Sequence, residues 1–403
     1  MDILRGEYKC KGLLVAWFYD NRISMKKKII YIYGGLYSPN GMSYMISQKV
    51  NYLADYTDFE MGLVLTERPN APRYYQLSKN VKSVNFDINF DELDTMPFFK
   101  KICFYWFKQH RYKKLLTSYL LSERANIVVS VTRREINFLT KINDGSKKIA
   151  EIHFARTFYR QINKKYFPSC VNQLLSRLWM NSLIRNLKHL ERFVVLTNED
   201  KENWPELNNV IVIPNFVSNV PNEKSNLSAK RVIAVGRYSQ QKGFDMLIHA
   251  WKIVNQVYPD WQLHIFGPGN KDVYQEIAVQ NGLNEVVFCH HATNDIYSEY
   301  LGSSVFVLSS RYEGFGLVIV EAMGAGLPVV SFSCPCGPKD IITEGVDGFL
   351  VKPDDINLMA EKLCLLMGNE SLRKRMGKNS AKKVASYSQR VIMDSWIKLF
   401  EEL

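Results

Sequence analysis

No stretch of the 403-residue chain approaches the roughly 18 consecutive apolar residues that a membrane-spanning helix requires. Residues 12–19 are the longest candidate near the start, and Asp20-Asn21-Arg22 follows them in place of a small-residue cleavage site. Neither secretion nor a transmembrane helix is therefore expected. Cysteine is sparse: the seven residues Cys10, Cys103, Cys170, Cys289, Cys334, Cys336 and Cys364 are odd in number and scattered, as suits reduced thiols in a cytosol. Cys334-Pro335-Cys336 and Cys289-His290-His291 lack the paired spacing of a zinc site, so loop and core roles are expected for them. G-x-G-x-x-G does not occur, which leaves dinucleotide redox chemistry unsupported. G-K-[ST] does not occur either, which excludes a nucleoside-triphosphate P-loop.

The apolar share of 46% is ordinary for a globular protein, and the length suffices for two domains that each bury a core. The net charge of +12 is unevenly spread. Residues 1–215 hold 33 Lys and Arg against 20 Asp and Glu, a net of +13, whereas residues 216–403 hold 19 against 20, a net of −1. Within the basic half, residues 98–114 (FFKKICFYWFKQHRYKK) interleave aromatics with cations. Residues 156–165, with Arg177, Arg185, Lys188 and Arg192, add more positive charge. Such a surface suits an anionic bilayer, where rings enter the headgroup region and lysines meet lipid phosphates. The competing reading is a solvated helix whose aromatics belong to the core. No recognised nucleic-acid-binding motif accompanies the charge, and no nucleic-acid partner is expected.

The rest of the chain is organised around residues 309–331, SSRYEGFGLVIVEAMGAGLPVVS. The apolar run 304–308 reads as a strand stopped by Ser309-Ser310-Arg311, Phe315-Gly316 lets the backbone turn, and Leu317–Met323 begins a helix. A strand-to-helix turn of this kind aims unpaired N–H groups at the crevice above the sheet, where the helix dipole favours an anion. Glu313 and Glu321 flank the turn, and each could accept paired hydrogen bonds from sugar hydroxyls. Spacing alone favours a plainer reading, in which Glu313 caps the helix and Glu321 is an ordinary helix glutamate.

Taken in order, residues 1–24 match no motif and read as an extension. Residues 28–33 (KIIYIY) form a buried strand, and Gly34-Gly35 turn the chain toward a helix near 42–53, the usual opening of a doubly wound domain. Strands are expected at 61–65, 81–86, 127–131, 149–154, 193–196 and 210–213, an α/β alternation. His153 ends one of these strands; a lone histidine there is more often structural. Thr197 with Glu199 and Asp200 reads as a helix N-cap with an acidic first turn. Residues 214–229, rich in Ser, Asn and Pro, form a linker, placing the domains at 25–215 and 216–388. The pattern restarts at 231–235 and ends in Gly236-Arg237, with Lys242-Gly243 before the helix 245–257. Arg237 and Lys242 are expected close together, two fixed cations able to neutralise a diphosphate. Strands 261–266 and 286–289 follow, and residues 389–403 carry a core-facing stripe at helical spacing.

Glu313-x7-Glu321 around Gly-Phe-Gly, together with Gly34-Gly35, His153, Gly236-Arg237, Lys242-Gly243 and the Gly-Leu-Pro-Val-Val run from Gly326, resembles the signature of family 4 retaining glycosyltransferases. The resemblance covers most of the chain from Met25 onward and implies a GT-B fold: two doubly wound Rossmann-like domains around a cleft, with residues 389–403 crossing back to the first. It implies Glu313 on sugar hydroxyls, Glu321 on the ribose, and His153 on the donor sugar or its phosphate. Gly34 and Gly35 would lie between donor phosphate and acceptor, and His291 would neighbour the nucleotide base. Gly236, Arg237 and Lys242, with the amides of Phe315, Gly316 and Leu317, would answer charge on the leaving diphosphate. D-x-D is missing, so no metal cofactor is expected. Residues 334–342 resemble a loop of members using UDP-hexoses or UDP-N-acetylhexosamines, with GDP-mannose also open. The partners implied are a nucleotide sugar and a lipid-linked saccharide acceptor, undecaprenyl-diphosphate-linked or a lipid A core. The place implied is the inner face of the cytoplasmic membrane, in a capsule, O-antigen or lipopolysaccharide pathway. The rival readings are a phosphorolytic or hydrolytic sugar enzyme on the same cleft, and a non-catalytic nucleotide-sugar or nucleic-acid-binding protein.

Overall fold

The computed structural model describes residues 26–159, 169–218, 220 and 222–403. The extension 1–24 and the cations Arg160, Lys164 and Lys165 lie outside the described residues. Two wholly parallel sheets carry the fold. The first is β1 (Lys28–Tyr33), β2 (Glu60–Leu65), β3 (Val81–Asn85), β4 (Ile127–Ser130), β5 (Lys147–Glu151), β6 (Arg192–Val195) and β7 (Val210–Val212), in the order β3-β2-β1-β4-β5-β6-β7. The second is β8 (Arg231–Val235), β9 (Gln262–Phe266), β10 (Val287–His290), β11 (Val305–Leu308), β12 (Val329–Phe332) and β13 (Gly348–Val351), in the order β10-β9-β8-β11-β12-β13.

Parallel sheets bury both faces, which is why their strands read as continuous apolar runs. In β1, Ile29, Tyr31 and Tyr33 face a core shared with the helices Gly41–Tyr56 and Gln389–Glu402. Ile30 and Ile32 face the opposite core, shared with the helix Phe98–Glu123. β8 divides likewise: Val232 and Ala234 pack under the helices Phe244–Val257 and Ile356–Gly368, and Ile233 packs under the helix Leu317–Gly324. In each sheet the strand order reverses beside the first strand, between β1 and β4 and between β8 and β11. Crevices at the carboxyl ends of such reversals are where ligands bind in open α/β sheets.

The chain passes between the sheets twice, side by side. Val217 bridges Ser388 in parallel, and its N–H donates to the Tyr387 carbonyl at 3.0 Å. The helix Gln389–Glu402 then returns to the first sheet and buries Ile392, Met393, Trp396, Leu399 and Phe400 there. Each fully buried aromatic contributes about 1.5–3 kcal/mol. Truncating Trp396 to alanine would cost about 3–5 kcal/mol and detach the return helix first.

Candidate functional site

β8 hands the chain to Gly236-Arg237, and its neighbour β11 hands it to Ser309, so both loops emerge at the reversal of the second sheet. They are laced together. Arg311 N–H donates to the Gln241 carbonyl at 2.8 Å, Gln241 Nε2 to the Tyr312 carbonyl at 3.0 Å, and Ser309 Oγ to the Lys242 carbonyl at 2.9 Å. Arg311 also forks onto Asp245, Nη1 to Oδ1 at 3.0 Å and Nη2 to Oδ2 at 2.7 Å. Gly243 permits the approach: at its φ of +62°, a Cβ would stand 2.1 Å from the Ser309 carbonyl oxygen.

This lacing presses Lys242 against Glu313. Lys242 Nζ lies 2.6 Å from Oε1 of Glu313, and Ser310 Oγ donates to the same oxygen at 2.6 Å. Glu313 is only 6% exposed, and its Oε2 makes no hydrogen bond among the described residues. It does not cap the following helix. Gly316, at φ +88°, occupies that position without a side-chain bond. The Phe315 ring belongs to the core, edge-on to Tyr387 at 5.9 Å, so only its backbone can meet a ligand. Leu317 opens the helix Leu317–Gly324 and is half-buried. One turn on, Glu321 Oε2 accepts from the Tyr300 hydroxyl at 3.3 Å. Burial pushes the Glu321 carboxyl up to about 7, outweighing the opposing pull of Tyr300 and Lys242.

The two cations expected close together differ in their partners. The Lys242 stem folds over Gly236, 3.0 Å from where a Cβ would be, and its charge is spent on Glu313. Arg237 is exposed, and its guanidinium makes no hydrogen bond or ion pair among the described residues. His291 is exposed just past β10. The strand runs one residue further than expected and takes in His290, whose ring stacks on Phe266 at 4.4 Å.

The first sheet contributes from across the cleft. His153 enters two residues past β5, and its carbonyl oxygen lies 2.2 Å from where a Cβ on Gly314 would stand. The two halves meet there backbone to backbone, which sets the His153 backbone against Gly314, the residue after Glu313. Gly34 follows β1 and lies beneath the exposed guanidinium of Arg133, while Gly35 lies against the Tyr37 ring and Glu67. A second contact joins the halves behind the site. Asp340 accepts from Asn198 N–H at 2.7 Å and Glu199 N–H at 3.4 Å, Lys339 pairs with Glu199 at 2.5 Å, and Cys336 N–H donates to Glu199 at 2.9 Å. Thr197 Oγ1 accepts from Asp200 N–H at 3.0 Å, the N-cap its sequence indicates. Cys334 and Cys336 are buried, and among the described residues no three His, Cys, Asp or Glu side chains are placed to hold a metal ion.

Sequence reasoning missed the support beneath His153. Glu151 is fully buried and pairs with Lys49, itself 2% exposed. The available signals were a carboxylate inside the strand run KIAEIHF and a lysine on the apolar face of a helix beside Ile46, Val50 and Leu53.

The basic helix divides its aromatics. Tyr112 belongs to the core and Tyr105 packs against it, whereas Trp106 is 73% and Phe107 69% exposed. Ile102 and Phe104 are exposed on the same helix, and Leu174, Leu178 and Trp179 are exposed on the helix Ser169–Leu187. Among the described residues no helix is long and apolar enough to cross a membrane.

Residues 218–383 match the model of the family "Glycosyl transferases group 1". An uncharacterized glycosyltransferase of Haemophilus influenzae is 33% identical over 54% of this chain and 64% of its own length. The amylovoran biosynthesis glycosyltransferase AmsD of Erwinia amylovora is 32% identical over 51% of this chain and 61% of its own length. The matches thus span under two thirds of these relatives. In three dimensions the chain is similar to a mutant of S. aureus TarM solved with UDP, fondaparinux and α-GlcNAc-glycerol, with a TM-score of 0.71, 18% identity, and coverage of 93% of this chain and 99% of that one. The chain has the GT-B fold, and its residues 218–383 are similar to the group 1 glycosyl transferases.

Proposed function

We propose that the protein is a retaining, metal-independent glycosyltransferase. It moves a hexose or N-acetylhexosamine from a nucleotide sugar, UDP-linked, to a saccharide-lipid acceptor in bacterial surface polysaccharide synthesis. The donor occupies the second half, residues 216–388, and the acceptor lies against the first, residues 25–215 completed by the return helix. The observation that carries this reading is the Lys242–Glu313 pair at the reversal of the second sheet, next to Gly314, on which the His153 backbone of the first half packs. The family match over the same half supports it, as does UDP in the TarM complex.

As the anomeric bond breaks, positive charge develops on the sugar ring and negative charge on the diphosphate. Lys242, Arg237 and the amides at Phe315, Gly316 and Leu317 answer the negative charge in place of a metal. Glu313, through its unengaged Oε2, accepts from sugar hydroxyls, Glu321 accepts from the ribose, and His153 meets the sugar from the opposite wall. His291 stands near the base, and Gly34-Gly35 leave room between donor phosphate and acceptor. Attack comes from the face that the diphosphate leaves, and domain closure keeps water from competing. The exposed aromatics and cations of the helix Phe98–Glu123 rest the protein on the anionic inner face of the cytoplasmic membrane, where the acceptor resides.

The test is a thermal-shift panel of UDP-, GDP-, ADP- and CMP-sugars on the wild type and Glu313→Ala, since a ligand stabilises the fold in proportion to its occupancy. A UDP-sugar should raise the Tm of the wild type. Glu313→Ala should keep the shift given by UDP and lose the increment given by the sugar. No shift with any nucleotide sugar would sink the proposal.

A further inference from the structure

The buried ion pair beneath His153 has no evident use in holding the fold together. Lys49 comes from the helix Gly41–Tyr56 and Glu151 from the last position of β5, 102 residues apart, and both are sealed from solvent. Taking two charges out of water is expensive, and an apolar pair of similar volume is often as stable or more so. A fold gains little by placing a charge pair there unless the charge acts on something else. Glu151 Oε1 faces His153 Nε2 at 3.6 Å. Both atoms are buried and neither has a hydrogen-bond partner, an arrangement rare enough in folded proteins to need a cause. A contraction of about 0.5 Å would complete a bond between them.

We infer that Glu151 is a positioning residue for His153, gripping the imidazole by Nε2 and presenting Nδ1 to the ligand in the cleft. The inference rests on His153 serving the transfer reaction proposed above. The charge state of Glu151 makes the grip directional. Burial alone would raise its carboxyl, but the Lys49 ammonium, aided by His153, holds it down at about 2, so it stays a carboxylate throughout the working range. A carboxylate only accepts, so the nitrogen facing it must carry the proton. In the neutral ring this leaves Nδ1 with the lone pair, ready to accept from a sugar hydroxyl. A mixture of tautomers would present that lone pair only part of the time.

Lys49 is itself fixed from three sides. Its Nζ lies 3.9 Å from the centroid of the Trp396 ring, on the return helix, and 5.9 Å from that of Tyr31. Thr132 Oγ1 anchors the strand end by donating to the Glu151 carbonyl. A line of contacts therefore runs from the return helix through Trp396, Lys49 and Glu151 to His153. This gives the crossing-back helix a part in the site beyond tethering the two halves.

The experiment is 15N NMR of the ring nitrogens of His153, assigned with a His153→Gln variant, on the wild type and on Lys49→Met/Glu151→Gln. The double variant removes both charges together, so no unpaired charge is left buried. The wild type should show the Nε2–H tautomer alone, and the double variant a mixture. Turnover with a UDP-sugar should fall about 100-fold in kcat while UDP affinity stays within about twofold, because the ring is misplaced and the nucleotide site is not. A wild-type ring protonated at Nδ1 would overturn the inference by itself, even if the double variant failed to fold. An unchanged tautomer or an unchanged kcat in the folded double variant would do the same. A tautomer change in a protein that transfers no sugar would uphold the positioning role and reject the transferase reading.

Discussion

Lys242 Nζ and Glu313 Oε1 lie 2.6 Å apart, so one cation and one carboxylate of the candidate site hold each other. A nucleotide sugar bound there as proposed would set its diphosphate against Glu313 for the same ammonium, and its hydroxyls against Lys242 for the same carboxylate. The two side chains therefore act as a unit, and their removal should not be additive. Lys242→Ala should lower kcat by roughly 3 kcal/mol of transition-state stabilisation, about two orders of magnitude. Glu313→Gln should also lower it strongly, and the double variant should be little worse than the worse single. Additive losses in kcat/KM across the cycle would show that the pair is incidental.

Arg237 stands apart from this unit. It is exposed and bonds to nothing among the described residues, so Arg237→Ala should leave the thermal midpoint within about 1 °C, the range expected for a surface change. Its effect should fall on turnover, by one to two orders of magnitude, because it is the cation free to follow the developing charge. A variant with wild-type kcat and kcat/KM for the nucleotide sugar would remove Arg237 from the site.

Gly314 tests the closed contact. A methyl there would stand 2.2 Å from the His153 carbonyl oxygen, a clash with backbone that cannot rotate away. Gly314→Ala should therefore fold, bind UDP in the second half with near-normal affinity, and transfer sugar at least tenfold more slowly because the halves are forced apart. Small-angle scattering should report a larger radius of gyration. Unchanged scattering and unchanged kcat would mean that the contact does not matter to the cycle.

How much of this was readable in the chain depended on how local each feature is. The runs KIIYIY and VFVL announce buried parallel strands by themselves, and both become sheet centres next to a reversal. Thr197 as an N-cap was equally legible, since its bond to Asp200 N–H spans three residues. The partner of that helix was not: Asp340 reaches Asn198 across 142 positions, and no local pattern encodes such a pairing. The same holds for Lys49 and Glu151, each an anomaly in an apolar context whose meaning appears only once the other is beside it. Arg237 and Lys242 were close in sequence and hence expected to act alike. The loop 309–313 claimed one of them, and that depended on the Arg311–Asp245 fork.

The exposed aromatics of the basic helix make a separate prediction. Trp106→Ser/Phe107→Ser should weaken sedimentation with vesicles containing anionic phospholipid, because interfacial rings and nearby lysines act together. Binding should also fall as salt rises, about 1 kcal/mol being carried by each cation near the surface. Tyr112→Phe on the buried side should leave vesicle binding unchanged. Equal binding by wild type and Trp106→Ser/Phe107→Ser would assign that face to something other than a bilayer.

If Glu321 meets the ribose as proposed, nucleotide binding should depend on pH. Burial raises its carboxyl to about 7 in the folded chain, above the roughly 4.3 of an unfolded glutamate. A raised acid binds more protons folded than unfolded, so its contribution to stability is undiminished below about pH 4.3, is lost progressively as pH rises toward 7, and is flat beyond. Ribose hydroxyls donating to this carboxyl would favour the ionised form and lower its pKa in the complex. Binding UDP near pH 6.5 should then expel part of a proton from Glu321, and affinity should rise with pH until about 7. The diphosphate titrates in the same range, so the comparison that isolates the carboxyl is Glu321→Gln. Calorimetry in buffers of different ionisation enthalpy should show a larger proton release for the wild type than for Glu321→Gln, and the variant should lose the fall in stability between pH 4.3 and 7. Equal proton release from both proteins would mean that Glu321 is not the group the ribose meets.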